Sequence, residues 1–283
     1  MAALRECPPR ITGSRSRPGV AYEVRRLRVV FRILRIVLCL LTALPALAEQ
    51  EVRVGAYHFP PYAVKPESAA PSGLLPDLLA ALNRLQGDYR FVLVPTSVTR
   101  RYRDLECGRF DLILFESPGW GWQDTPHRAL DLHIEDAEVY VARAEPGRDE
   151  GYFDQLKGKR MALYSGYHYG FAGFNADKQF LAKEFGALLT YSHDSNLTML
   201  LRGRADVAVI TRSYLQLYLD RYPELSSALL VSRRVDQVYQ HQALFRPQAP
   251  LAPERLAELL LALNSQGQLD DLLGRYHLAL VPH

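Results

Sequence analysis

The chain has 283 residues, 48% hydrophobic and 23% charged, an ordinary globular composition long enough for one large domain or two small ones. Its net charge of +3 is lopsided: residues 1–48 hold nine arginines against two acidic groups, leaving 25 basic and 29 acidic residues beyond them. The basic balance therefore belongs to the leader and gives no reason to expect nucleic-acid binding by the folded part.

Residues before about Val20 are rich in Arg, Pro, Gly and Ser and read as unstructured, as an overextended start would be. Arg25, Arg26, Arg28, Arg32 and Arg35 then precede an uncharged apolar run from Ile36 to Ala48, closed by Ala46-Leu47-Ala48. A basic segment, a short apolar run and a small-x-small end make a signal peptide, here 1–48 with cleavage after Ala48. The run has 13 residues, whereas roughly 20 are needed to span a bilayer. Cys39 follows Leu38 rather than a small residue, which argues against a lipid anchor. Cys7 and Cys39 leave with the leader, so only Cys107 remains and neither an intramolecular disulfide nor a cysteine metal site is expected. Beside Gly108, Cys107 is expected to be a buried small residue.

Gln50 to Ala56 alternates as a strand and runs into the aromatic, proline-stiffened Tyr57-His58-Phe59-Pro60-Pro61-Tyr62. Leu74 to Leu85 has helical leucine spacing, with Pro76 and Asp77 suited to its first turn. Phe91–Pro95 predicts a strand, Val98–Cys107 a helix and Phe110–Phe115 a third strand, so the pattern argues for α/β architecture. After an extended Glu138–Ala144, the βα pattern restarts. Strands are expected at Arg160–Tyr164, Leu188–Tyr191 and Asp206–Thr211, with helices at Ala176–Phe185, Asn196–Arg202 and Ser213–Tyr222. A further extended segment, Gln240–Arg246, precedes helices at Pro253–Gln266 and Gln268–Tyr276. The recurrence implies a second lobe (139–235) inserted into a first (49–138 and 236–283). In open α/β sheets ligands bind beyond the carboxyl ends of the strands, so two facing lobes place a cleft between them.

Six pieces stand in an order that resembles the family-3 periplasmic solute-binding proteins, best known for polar amino acids. They are Phe59-Pro60-Pro61-Tyr62, Ser72-Gly73-Leu74-Leu75-Pro76-Asp77, Gly108-Arg109-Phe110-Asp111, Thr125-Pro126-His127-Arg128, Leu156-Lys157-Gly158-Lys159-Arg160 followed by Ser165-Gly166, and Gly203-Arg204-Ala205-Asp206. The resemblance implies a two-lobe type II periplasmic binding fold with central mixed sheets and a hinge of two extended crossings, near Glu138–Ala144 and Val231–Tyr239. It implies Arg128 as the carboxylate anchor, because a guanidinium offers a planar fork to a carboxylate. Ser165, Gly166 and Tyr167 would grip from the second lobe, with Asn196 at a helix start. The family's amine-binding Asp falls on Thr211, followed by Arg212, so a plain α-amino acid fits poorly and Glu116 or another acid would have to replace it. The segment Ser117 to Gln123 also lengthens the approach to Arg128.

Trp120 and Trp122, flanked by glycines, can stack on a flat or cationic ligand or cap the core. Tyr57, Phe59 and Tyr62 divide between cleft and packing in the same way. The eight histidines show no metal-ligand spacing, and no cofactor is implied. The expected function is capture of a small carboxylate-bearing or amino-acid-like solute by a periplasmic monomer that delivers it to an ABC importer. A membrane sensor partner is the alternative. A dehydratase-like enzyme using Glu116 or His168 is the third reading, which nothing in their spacing demands.

Overall fold

The computed structural model describes residues 49–281, so the leader and its cleavage site lie outside the described residues. Strand β1 (Gln50–Ala56) lies parallel to β2 (Tyr89–Pro95) along its length and to β3 (Leu112–Glu116) on its other side. Helix α1 (Leu74–Leu85) falls on its leucine spacing and buries Leu74, Leu75, Leu78, Leu79 and Leu82. It starts at Gly73, whose φ is 112° and where a Cβ would sit 2.6 Å from the Pro61 carbonyl and 2.7 Å from that of Tyr62. Those carbonyls accept from Leu74 N and Leu75 N, which ties the aromatic loop to the helix start. No residue with a side chain fits there.

Helix α2 is shorter than its expected span and runs from Arg101 to Glu106, because Ser97 to Arg100 form a turn in which Ser97 O accepts from Arg100 N and Arg101 N. Cys107 corrects the sequence reading: it caps the end of α2 on the surface and is exposed.

The two extended segments are far longer than their apolar cores suggested. Strand β4 runs from Arg128 to Arg143 and β8 from Leu229 to Phe245, paired antiparallel with shifts of register between Asp131 and Glu135, Glu138 and Val139, and Val139 and Val141. Polar residues break the apolar alternation that marks a strand, yet Asp131, Glu135 and Asp136 stay paired, while Arg233 and Asp236 fall where the register shifts. Both strands change register between Glu138 and Val139, opposite Gln237 and Val235.

Beyond β4 follow β5 (Met161–Tyr164), α3 (Lys178–Phe185), β6 (Ala187–Thr190), α4 (His193–Leu201), β7 (Val207–Thr211) and α5 (Arg212–Arg221). After β8 come α6 (Pro253–Ser265) and α7 (Gln268–Gly274). The strands form one continuous mixed sheet in the order β2-β1-β3-β8-β4-β7-β5-β6. It is parallel within each outer set and antiparallel around β8 and β4. The first βα set, with α1, α2, α6 and α7, makes one lobe; β5–β7 with α3–α5 make the other, and β4 and β8 join them.

The two Gly-Arg-x-Asp-like motifs perform the same task in each lobe. Asp111 Oδ2 accepts from Arg53 N at 2.9 Å and Arg53 Nε at 3.0 Å, while Oδ1 accepts from Arg53 Nη2 at 2.8 Å. Asp206 holds Arg160 with the same three groups, at 2.7, 3.0 and 2.8 Å. In both lobes a carboxylate thus clamps the arginine near the start of the first strand. Only Asp111, 2% exposed, has a second guanidinium, that of Arg246 at 2.8 Å.

Candidate functional site

The register places Asp136 opposite Tyr239 and Glu138 opposite both Gln237 and Thr211. Residues two apart share a face, so Asp136, Glu138, Gln237, Tyr239 and His241 form one polar floor on the joining strands. All five are buried. Asp136 takes the Tyr62 hydroxyl at 2.7 Å and the Ser213 backbone N–H at 3.2 Å, and so bonds to both lobes. The Tyr62 hydroxyl also meets His241 Nε2 at 2.7 Å. Gln237 acts as a clasp. Its Oε1 accepts from Trp120 Nε1 at 3.2 Å, and its amide donates to Glu138 Oε2 at 3.0 Å and to the His168 carbonyl.

The walls are aromatic. Phe59 stacks on Tyr57 and Tyr62 at 5.7 and 4.6 Å between centroids, and meets Trp120 and Tyr167 edge-on, both at 5.6 Å. Trp120 in turn packs on Tyr239 at 4.7 Å. On the far side Tyr167 stacks on Tyr164 at 4.4 Å. Gly166 lets the lobes meet, since a Cβ there would fall 2.8 Å from Val98 Cγ1. The free volume enclosed by Tyr57, Phe59, Val98, Arg101, Trp120, Gly166, Tyr167 and His168 is about 10 Å³, about that of one water. Any larger solute needs the lobes to part.

An ion pair lies against this box. Arg101, 1% exposed, stands 3.3 Å from Glu116, which also accepts from Trp122 Nε1 at 2.8 Å. The guanidinium lies over the rings of Tyr57, Tyr102 and Trp122 at 4.9, 4.5 and 5.6 Å. Phe115, at φ 63°, forms the bulge between Ile113 and Glu116 that ends β3. Burial pushes the Glu116 carboxyl up and Arg101 pulls it back, while Arg101 itself is held above its ordinary value despite its burial.

Most of the residues singled out in the sequence converge here: Tyr57, Phe59, Tyr62, Glu116, Trp120, Trp122, Gly166 and Tyr167. Thr211 pairs opposite Glu138 on the neighbouring strand, and its hydroxyl lies 3.3 Å from His193, which stands against Tyr167 at 5.7 Å. Ser165 and Asn196 lie behind: Ser165 N bonds to the Thr190 carbonyl, and Asn196 Oδ1 accepts from the Thr190 hydroxyl at 2.7 Å. Arg128 is not in the cluster. It stands exposed at the start of β4, opposite Phe245. The buried guanidinium is Arg101, which the sequence did not mark because Arg100-Arg101-Tyr102-Arg103 reads as a solvated helix face. Asp136, Glu138, Gln237, Tyr239 and His241 were missed as well.

Three histidines are poorly disposed to carry charge. Burial lowers His168 to about 4, and His193 and His241 to about 3. Burial also drives Glu138 well above the usual carboxylate range, with nearby Asp236 adding to it. A carboxyl raised in the folded state destabilises the fold as pH climbs from the unfolded value towards the folded one. Glu138→Gln is therefore expected to flatten the fall in stability above about pH 4.5. It should also raise the melting temperature at pH 7 by a few degrees, about 2–4 °C per kcal/mol recovered. Thermal melts from pH 4 to 8 check this; parallel curves for both proteins would refute it.

The model of the family described as "ABC transporter, phosphonate, periplasmic substrate-binding protein" matches residues 136–279, half of the chain. The chain belongs to this family. No curated protein matches the sequence. Among solved structures, the substrate-binding protein of an amino acid ABC transporter is similar at 17% identity and TM-score 0.58, over 80% of this chain and 98% of that one. An ancestral arginine-binding protein bound to arginine is similar at 17% identity and TM-score 0.60, over 81% and 99%. A histidine kinase sensor domain with similarity to periplasmic binding proteins gives 18% and 0.59, over 81% and 96%. These likenesses establish the two-lobe periplasmic-binding fold, and this substrate-binding family member carries its buried polar cluster where the lobes meet. Among the described residues, no helix is long and apolar enough to cross a membrane.

Proposed function

We propose that the protein is exported to the periplasm by cleavage after Ala48, captures a small amino-acid-like solute between its lobes as a monomer, and delivers it to an ABC importer. The observation that carries this is the convergence of Tyr57, Phe59 and Trp120 from one lobe with Tyr167 from the other on a floor of buried polar groups. Closure is favoured by contacts that exist only between closed lobes. The hinge lies where β4 and β8 change register, so the first lobe comprises 49–138 and 236–283 and the second 139–235. In this reading the ligand shell is Tyr57, Phe59, Tyr62, Trp120, Gly166 and Tyr167. Ser165, Asn196 and Thr211 support it from the second lobe, and Trp122 and Glu116 set the position of Arg101. The anchor for a carboxylate is Arg101 rather than Arg128, because only Arg101 is inside. The reading as a binder is supported by the similar solved structures, which include an amino-acid transporter's substrate-binding protein and an arginine-binding protein.

The likeness to a histidine kinase sensor domain supports a second reading, in which closure is read by a membrane signalling partner. A thermal-shift screen of the purified protein against amino acids, organic acids, polyamines and sugars tests solute capture, since binding to the native state raises the melting temperature. Arg128→Ala is expected to leave any shift within about 1 °C of the parent, as a surface change does. Loss of the shift in that variant would return the anchor to Arg128.

A further inference from the structure

The charges of this cleft do not balance. Arg101 is the one buried cation among the described residues, and Glu116 is committed to it at 3.3 Å. The histidines of the cleft are held neutral by burial. Asp136 is satisfied by Tyr62, Ser213 and the Ala137 N–H. Glu138 remains. It is 0% exposed and has no cationic partner; it accepts from the Gln237 amide at 3.0 Å, and the Tyr239 hydroxyl lies against its carboxyl. Of the two tyrosines beside it, Tyr239 points its hydroxyl at the acid, and the buried Tyr167 hydroxyl has no partner. Both rings belong to the aromatic box with Phe59 and Trp120, Tyr239 at 6.1 and 4.7 Å and Tyr167 edge-on to Phe59.

We propose that Glu138 and the surrounding box of Phe59, Trp120, Tyr167 and Tyr239 form the recognition site for an organic ammonium group, which is the defining feature of the solute. The inference rests on solute capture in the cleft. A carboxylate beside aromatic faces is the arrangement that binds such a cation, because the ring quadrupoles and the acid act on it together in a dry site. Glu138 also lies opposite Thr211 on the neighbouring strand, so it offers a carboxylate beside the position where the sequence lacks one. A carboxylate on the solute has to compete with Glu116 for Arg101, whereas an ammonium group meets in Glu138 an acid with no counter-charge.

The site has a proton-coupled signature. Glu138 faces Asp136 on its own strand, Asp236 and Tyr239 on β8, and Tyr167 and Tyr169 from the loop after β5, with no basic group among them. It therefore favours its neutral form until a cation arrives, and binding a cation expels the proton.

Tetramethylammonium, choline and putrescine are the probes, with succinate and benzoate as carboxylate counterparts. The ammonium probes are expected to raise the melting temperature and change the emission of Trp120 and Trp122, the chain's two tryptophans. Calorimetry in buffers of different ionisation enthalpy should show release of up to one proton on binding. Glu138→Gln, which melts no lower than the parent, should weaken ammonium binding about a hundredfold and abolish the proton release. The release is read on the unaltered protein, so it stands as a test even where the variant does not fold. Carboxylate probes that bind while no ammonium does, or ammonium binding that is indifferent to Glu138→Gln and releases no proton, would overturn this inference and leave solute capture standing. Silence from every solute would overturn both.

Discussion

Arg101→Met is expected to lower the unfolding free energy by about 3–5 kcal/mol, since it leaves the Glu116 carboxylate buried without its counter-charge. The pair is desolvated on both sides, with Arg101 and Glu116 at 1% and 0% exposure, so solvent does not screen the loss as it would at a surface. The double variant Arg101→Met with Glu116→Gln should recover most of the stability. Glutamine keeps an acceptor for Trp122 Nε1, and removing both charges of a buried pair is often neutral. Urea unfolding of the parent, the two single variants and the double variant measures the coupling. A double variant as unstable as Arg101→Met alone would show that lost packing over Tyr57, Tyr102 and Trp122, and not the charge, is responsible.

Asp111→Ala should cost about 3 kcal/mol, because two arginines and a backbone N–H lose their acceptor at once. Both guanidinium groups keep some solvent contact, at 35% and 21% exposure, which holds the figure at the low end. For a domain of this size that is about 6–12 °C in melting temperature. Hydrogen bonds from Arg53 and Arg246 hold the Asp111 carboxyl below its ordinary value against its burial. A depressed carboxyl contributes its full stability above its unfolded value and loses it as pH falls through the folded one. The gap between parent and Asp111→Ala should thus narrow below about pH 4. The corresponding Asp206→Ala should do less, since Arg160 is 53% exposed. Equal losses at the two sites would contradict the role given to burial.

Local signals were legible where local chemistry decides the structure. Leu74 to Leu85 folds as its leucine spacing demands, and β1 occupies the alternating stretch Gln50 to Ala56. The long strands were half hidden because their polar residues face the cleft floor rather than water, and a period-two pattern records only apolar against polar. Glu138 and Asp136 look like a solvated strand face until the fold closes over them. Arg101 was obscured by its neighbours: Arg100 and Arg103 are exposed while Arg101 is buried, and three arginines in four positions give no hint of which turns inward. Arg128 had the motif but not the placement, standing exposed at the start of β4.

The tightness of Gly166 against Val98, and of Phe59 against Tyr167, has a thermodynamic corollary. The protein's own side chains are competitors for its ligand. Each aromatic contact made across the closed mouth must be surrendered before a solute is admitted, so the measured dissociation constant is the intrinsic one divided by the fraction of molecules standing open. A larger residue at Gly166, where the φ of 91° also disfavours any side chain, would prop the mouth ajar and remove part of that handicap. Weak binding by the native chain and tighter binding by a wedged one would then be two readings of a single equilibrium.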